Sequence, residues 1–174
     1  FEATLRHQLG SEFPGFAASL REPPPVSIRL HPAKNKKHAD GQPVPWSYLG
    51  RYLSARPVFT LDPLLHAGAY YVQEASSMFI EQALKQTMPL DQSLNVLDLC
   101  AAPGGKTTHV LSLISRDSLL VSNDVIRSRA SILSENIQKW GYPNAIVTNN
   151  DPSDFKKLQG FFDLVVVGAP CSGG

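Results

Sequence analysis

The stretch Asn95 to Ser112, NVLDLCAAPGGKTTHVLS, decides how the rest of this chain is read. Its first residues, Asn95-Val96-Leu97-Asp98-Leu99, form an apolar run of strand length. The small residues Cys100 to Gly105 make a tight turn, and a helix opens near Lys106-Thr107. A strand that passes through a glycine turn into a helix leaves unpaired backbone N–H groups at the helix N-terminus, aimed into a crevice. Adjacent Gly104 and Gly105 admit a ligand to the backbone where a Cβ would block it. Asp98 stands at the strand's end beside that crevice. Nucleotide-like ligands are gripped in this way at the carboxyl edge of a parallel sheet.

Three ligands compete for the turn. A P-loop needs GxxxxGK followed by Ser or Thr, and Gly105-Lys106-Thr107 supplies only the second half. Its first glycine would fall at Cys100. A dinucleotide fingerprint needs GxGxxG, a spacing absent here. An S-adenosylmethionine turn asks for close backbone approach and an acid near the ligand's ammonium group, and it fits without omission. An ordinary strand-to-helix turn with incidental glycines is the bland alternative.

Outward from the turn, strands alternate with helices. Before it, Glu74 onward reads as a helix with Ala75, Met78, Phe79, Gln82 and Ala83 on one face. After it, Leu119–Asn123 is a second strand ending on Asp124. A carboxylate there can accept two hydrogen bonds from a ribose diol, or cap the helix Ile126–Trp140; both roles are compatible. A third strand, Ala145–Thr148, leads to Asp151, which can reach an adenine edge or cap a turn. The fourth strand, Asp163–Val167, is a continuous apolar run that belongs inside a parallel sheet with both faces covered. The pattern predicts an α/β, doubly wound domain over residues 61–174.

Residues 1–60 read as a small N-terminal α+β module. Phe1, Leu5 and Leu9, then Phe13, Phe16 and Leu20, fall at helical spacing, and Val26–Leu30 alternates as a strand. Lys34, Lys36 and Lys37 form a solvated polar run or a phosphate contact. Trp46, Tyr48, Tyr52 and Phe59 interleave with Arg51 and Arg56; such residues stack bases or pack a module on its neighbour. The module is therefore a candidate for RNA contact. Tyr70-Tyr71-Val72 reads as a strand opening the main domain.

The chain of 174 residues is 43% hydrophobic with a net charge of +1, a soluble composition that neither requires nor excludes nucleic acid. No apolar run reaches membrane-spanning length, and residues 1–20 do not resemble a signal peptide. Two cysteines without CxxC spacing suggest a reducing cytoplasm, and no metal site is expected.

Gly168-Ala169-Pro170-Cys171-Ser172-Gly173, together with CAAPGGKT at 100–107 and YYVQEASSM at 70–78, strongly resembles the S-adenosylmethionine-dependent RNA 5-methylcytosine methyltransferases of the Fmu/Sun and RsmF type. The three motifs occur in the family's order, and the likeness covers roughly residues 25–174. It implies a class I methyltransferase (Rossmann-like) fold, S-adenosyl-L-methionine as cofactor and RNA, ribosomal RNA above all, as substrate. It places Cys100, Ala101, Ala102, Pro103, Gly104, Gly105 and Lys106 around the methionine part of the cofactor, Asp124 on the ribose and Asp151 by the adenine. Cys171 falls in the motif whose cysteine assists release of the product, the attacking thiol of the family lying in a later motif.

Two departures go with the likeness. The family's Asp-Ala-Pro-Cys reads Gly168-Ala169-Pro170-Cys171 here, removing a carboxylate expected near cofactor and base. The sequence also stops at Gly174, before strands five to seven. The domain is thus expected to be C-terminally incomplete and inactive alone.

Overall fold

The computed structural model describes residues 1–34 and 41–169. Its first part carries helices α1 (Glu2–Leu9) and α2 (Phe13–Ser19), then an antiparallel sheet. Of the apolar residues spaced along these helices only Phe13 is buried, under the Arg6 guanidinium 4.5 Å from its ring centroid. The sheet contains β1 (Val26–Leu30), β2 (Gln42–Pro43), β3 (Gly50–Leu53) and, after the short helix α3 (Pro63–His66), β4 (Tyr70–Val72). Their order is β2-β3-β1-β4. Tyr70–Val72, expected to open the main domain, instead pairs with β1 through Ile28–Val72 and Leu30–Tyr70. Burial of Tyr70 with Ile28 and Leu30 fixes that register, because a slip of one residue would turn the ring to the other face.

The second part opens with a 3-10 turn over Ser76–Phe79 that continues into α4 (Ile80–Thr87). The tighter winding rotates the phase of the helix. The buried positions are accordingly Ala75, Met78, Glu81 and Leu84, whereas Phe79 and Ala83 face solvent, against the face read from the sequence. Then follow β5 (Asn95–Asp98), α5 (Gly105–Leu113), β6 (Leu119–Asn123), α6 (Arg127–Trp140), β7 (Ala145–Thr148) and, past a 3-10 segment at Pro152–Leu158, β8 (Leu164–Val166). The four strands are parallel in the order β7-β6-β5-β8, the first half of a Rossmann-like sheet. α6 ends on Gly141 at φ +79, a left-handed cap that glycine adopts without steric cost.

Two rows cross this sheet in register. Leu164, Val96, Leu120 and Ala145 face α4, α5 and α6 and form the main core with Leu84, Val110, Leu111 and Trp140. The opposite row runs Val165, Leu97, Val121, Ile146; its middle is buried, but Val165 and Ile146 are each 49% exposed. Among the described residues β8 stands at the end of the strand order, with helices packed on one face of the sheet. No helix among the described residues is long and apolar enough to cross a membrane.

The two parts meet along α5 and α6. Arg29 on β1 is fully buried, and its guanidinium stacks 4.5 Å from the Trp140 ring centroid. His31 follows two residues later. Its Nδ1 accepts the Ala33 and Lys34 N–H groups, so its Nε2–H donates to the Trp140 carbonyl at 3.0 Å. Burial pushes the His31 imidazole down to a pKa of about 4, which keeps it neutral. Lys34, expected in a solvated or phosphate-binding run, donates its ammonium to the Lys139 carbonyl in the last turn of α6 and to the Ala67 carbonyl at the end of α3, helix C-termini where a cation is favoured. Lys36 and Lys37 lie outside the described residues. Trp46 donates to the Ala75 carbonyl and packs on Phe79, so this aromatic serves packing.

Candidate functional site

Four carbonyls of the turn after β5, those of Leu99, Ala101, Ala102 and Pro103, are tied back into the protein. The Ala102 carbonyl accepts from Arg129, and the Pro103 carbonyl accepts from both Asn136 and Tyr71. The Leu99 carbonyl accepts from Asn123, whose own carbonyl accepts the Ala101 N–H. Gly104, at φ +108, reverses the chain and donates to the Ala101 carbonyl. The geometry suits glycine: a Cβ there would meet Leu133 Cδ1 at 3.1 Å in a backbone region L residues rarely adopt. Among the described residues, the Gly105, Lys106 and Thr107 N–H groups have no acceptor. With the Leu99, Ala101, Ala102 and Pro103 carbonyls tied to protein donors, these amides carry the positive end of α5.

In front of them lies a cleft of about 180 Å³, lined by Gln73, Ser77, Cys100 to Pro103, Gly105, Lys106 and Gly168. Of the 100–106 segment singled out from the sequence, Cys100 to Pro103, Gly105 and Lys106 line this cleft, and Gly104 does not. Cys100 is a half-buried free thiol at the cleft. Gly168 is half-buried, and a Cβ built on it would stand 3.1 Å from Lys106 Nζ. A larger hollow of about 620 Å³, lined by Gly41, Gln42 and Tyr52 to Pro57, is on the N-terminal sheet, away from the turn.

The acids are arranged differently. Asp98 lies beneath α5, buried, and accepts from Thr107 Oγ1 at 2.7 Å. Burial pushes its carboxyl up to about 6, against the pull of that hydrogen bond and of Lys106. Asp124 is buried at 2% exposure and does not line the cleft. One of its oxygens accepts the Ile126 N–H, the other accepts the Ala102 N–H at 3.3 Å and faces Arg129 at 3.4 Å. The capping role expected of it is not what the structure shows: the N-cap of α6 is Ile126 without a side-chain cap bond, and Asp124 instead closes the two-residue turn that precedes the helix and fixes the back of the glycine turn. Asp151 is exposed and caps the Pro152–Leu158 segment through Ser153, whose two hydrogen bonds hold its carboxyl below the usual range. Cys171 lies outside the described residues.

Sequence reasoning assigned no role to several residues around the site. Gln73 lies inside the quoted YYVQEASSM stretch, yet only the structure shows it at the cleft wall. Glu81 and His109 form a buried pair at 3.1 Å, joined by Ser47 and Lys85. Burial pushes the Glu81 carboxyl up, but bonds from His109, Lys85 and Ser47 outweigh it and hold it at about 2. Burial pushes the His109 imidazole down, leaving a neutral donor to Glu81. An acid at a helical position adjacent to apolar Leu84 and Ile80 gave the only hint.

The geometry has counterparts among known proteins. The N-terminal domain of 16S rRNA methyltransferase RsmF matches residues 1–75, and 16S rRNA methyltransferase RsmB/F matches residues 85–174. A Vibrio campbellii protein named ribosomal RNA small subunit methyltransferase F is 37% identical over 173 residues, covering 91% of this chain and 36% of its own length. One of the same name from Aeromonas hydrophila is 35% identical with the same coverage. The chain thus spans 36% of the length of these curated relatives. Among solved structures, a methyltransferase homolog protein from Pyrococcus horikoshii superposes with a TM-score of 0.77 at 29% identity, over 94% of this chain and 56% of that one. The fold is that of a class I, Rossmann-like methyltransferase. On its strand–glycine turn–helix, its two-part build and these matches, the chain belongs to the 16S rRNA methyltransferase RsmB/F family.

Proposed function

We propose that this chain carries the S-adenosylmethionine-binding part, with the N-terminal module, of a cytoplasmic ribosomal RNA cytosine carbon-5 methyltransferase. The observation that supports this reading is the set of amides at Gly105, Lys106 and Thr107 that are unpaired among the described residues, the first two belonging to residues that line the cleft. Donors in that number suit the amino-acid end of a sulfonium nucleoside, and the cleft lacks the extended glycine cradle that a triphosphate needs. Asp124 is proposed to take the ribose through lone pairs that its two backbone donors leave open, and Asp151 to meet the adenine edge. Residues 1–60 are proposed to form the RNA-facing module.

When bound, the cofactor supplies an electrophilic methyl group. Cytosine carbon 5 is a weak nucleophile until a thiolate adds at carbon 6, which makes cysteine the expected chemistry of the family. Cys171 is proposed to assist release of the methylated product. Calorimetry with S-adenosylhomocysteine and with ATP tests the reading: binding of the first and not the second is expected, and the reverse outcome refutes it.

A specific observation favours a second reading, a cofactor- or RNA-binding module that does not turn over. Gly168, where a Cβ would stand 3.1 Å from Lys106 Nζ, takes the place at which the family motif has aspartate. Methyl incorporation into small-subunit ribosomal RNA, compared with and without Gly168→Asp, separates the two readings.

A further inference from the structure

Gln73 ends the strand region of the N-terminal sheet and is 6% exposed at the wall of the cleft. Its side-chain oxygen accepts from Arg29 Nε at 2.8 Å. Because guanidinium only donates, this contact settles which arm of the amide is oxygen and turns the NH2 the other way. That Nε2 is buried and has no hydrogen-bond partner among the described residues. It faces Gly105, 3.9 Å from where a Cβ would stand on that residue. Buried amide donors are nearly always paired, so an orphan one at a cleft wall points to a missing acceptor.

Arg29 is itself locked. Its terminal nitrogens donate to Thr108 Oγ1 at 2.7 Å and to the Gly105 carbonyl at 3.3 Å, tying the same guanidinium to both walls of the cleft. The amide is therefore held in place before any ligand arrives.

We propose that Gln73 is a ligand-binding residue whose NH2 donates to a carboxylate oxygen bound against Gly105, with Arg29 as its positioning residue. This rests on the cofactor reading above and specifies its amino-acid end. Carboxylate is the chemistry that fits, since the Gln73 amide, the unpaired helix amides and the Lys106 ammonium are all donors on one small cleft. At about 180 Å³ that cleft takes part of a nucleoside ligand and not the whole.

The test compares S-adenosylhomocysteine with its decarboxylated counterpart, by calorimetry, on the full chain and on Gln73→Glu. Glutamate keeps an acceptor for Arg29 but replaces the donor with an oxygen that repels a carboxylate. The expected result is a roughly ten- to hundredfold weaker S-adenosylhomocysteine affinity, with the decarboxylated ligand unchanged within about twofold. An equal loss on both ligands, or no loss on either, overturns the proposal. Should Gln73→Glu fail to fold, the unmodified chain decides: equal affinity for the two ligands overturns the proposal while the cofactor reading stands. Binding of neither overturns both.

Discussion

The seam between the two parts of the molecule and the cleft beside Gly105 are built from the same residue types to opposite ends. At the seam every strongly polar group has been given partners: Arg29 has carbonyls, a hydroxyl, an amide and the Trp140 face, and His31 uses both ring nitrogens. At and beside the cleft, three backbone amides and the Gln73 NH2 have none among the described residues. Saturation marks polar groups that hold the fold, and residual donors mark the place where something else must bind. Glu81 and His109 belong to the first kind, with one blemish, an unpartnered His109 Nδ1.

The sharpest way to break that contrast is Arg29→Ala. It orphans Gln73 and removes the cover of Trp140, so unfolding free energy is expected to fall by about 4 kcal/mol in urea titration. A loss below about 1 kcal/mol would mean the seam is not what stabilises the fold.

Acid tests the seam next. The His31 pKa lies near 4, below the ordinary value of 6.5, so its neutral form contributes stability that is complete above that value and lost as pH falls toward 4. The stability difference between the natural chain and His31→Asn should shrink by about 3 kcal/mol from pH 7 to pH 4. Asp98, pushed up to about 6, runs the other way: its contribution is complete below its unfolded pKa and disappears as pH rises through 6. Comparing the variant with the natural chain cancels that opposing slope.

The cleft side should respond mainly in binding. Gly104→Ala puts a Cβ into a left-handed backbone against Leu133, costing about 2 kcal/mol of stability by thermal melts and also displacing the amides of α5. Smallest is Gly168→Asp. Its carboxylate would meet the Lys106 ammonium, so a stabilisation of up to about 1 kcal/mol is expected, measured by the same melts in low and high salt. A loss of stability would show that the gap at Gly168 is not shaped for an acid.

The legibility of these two regions in sequence differs for a physical reason. The cleft turn is local: Asp98, Gly104, Gly105 and Lys106 sit within nine residues, and strand, turn and helix follow from their order. The parallel strands were legible too, because each apolar run is flanked by turn residues. The seam is not local. Arg29 meets Thr108 and His31 meets Trp140 across 79 and 109 positions, and an arginine in an alternating strand gives no sign of being buried. The same distance hid the pairing of Tyr70–Val72 with β1. The buried face of α4 was missed because a 3-10 turn shifts its phase, which apolar spacing alone does not reveal.

The reach of Arg29 into α5 carries a consequence for anyone exchanging parts among relatives. A donor N-terminal module whose equivalent side chain is shorter would dock on this Rossmann-like half with Thr108 and Gln73 deserted, even if every surface contact matched. Chimeras should therefore be chosen by co-inheritance of positions 29, 73 and 108, and a hybrid that violates that trio is expected to fail at the graft and not in its cleft.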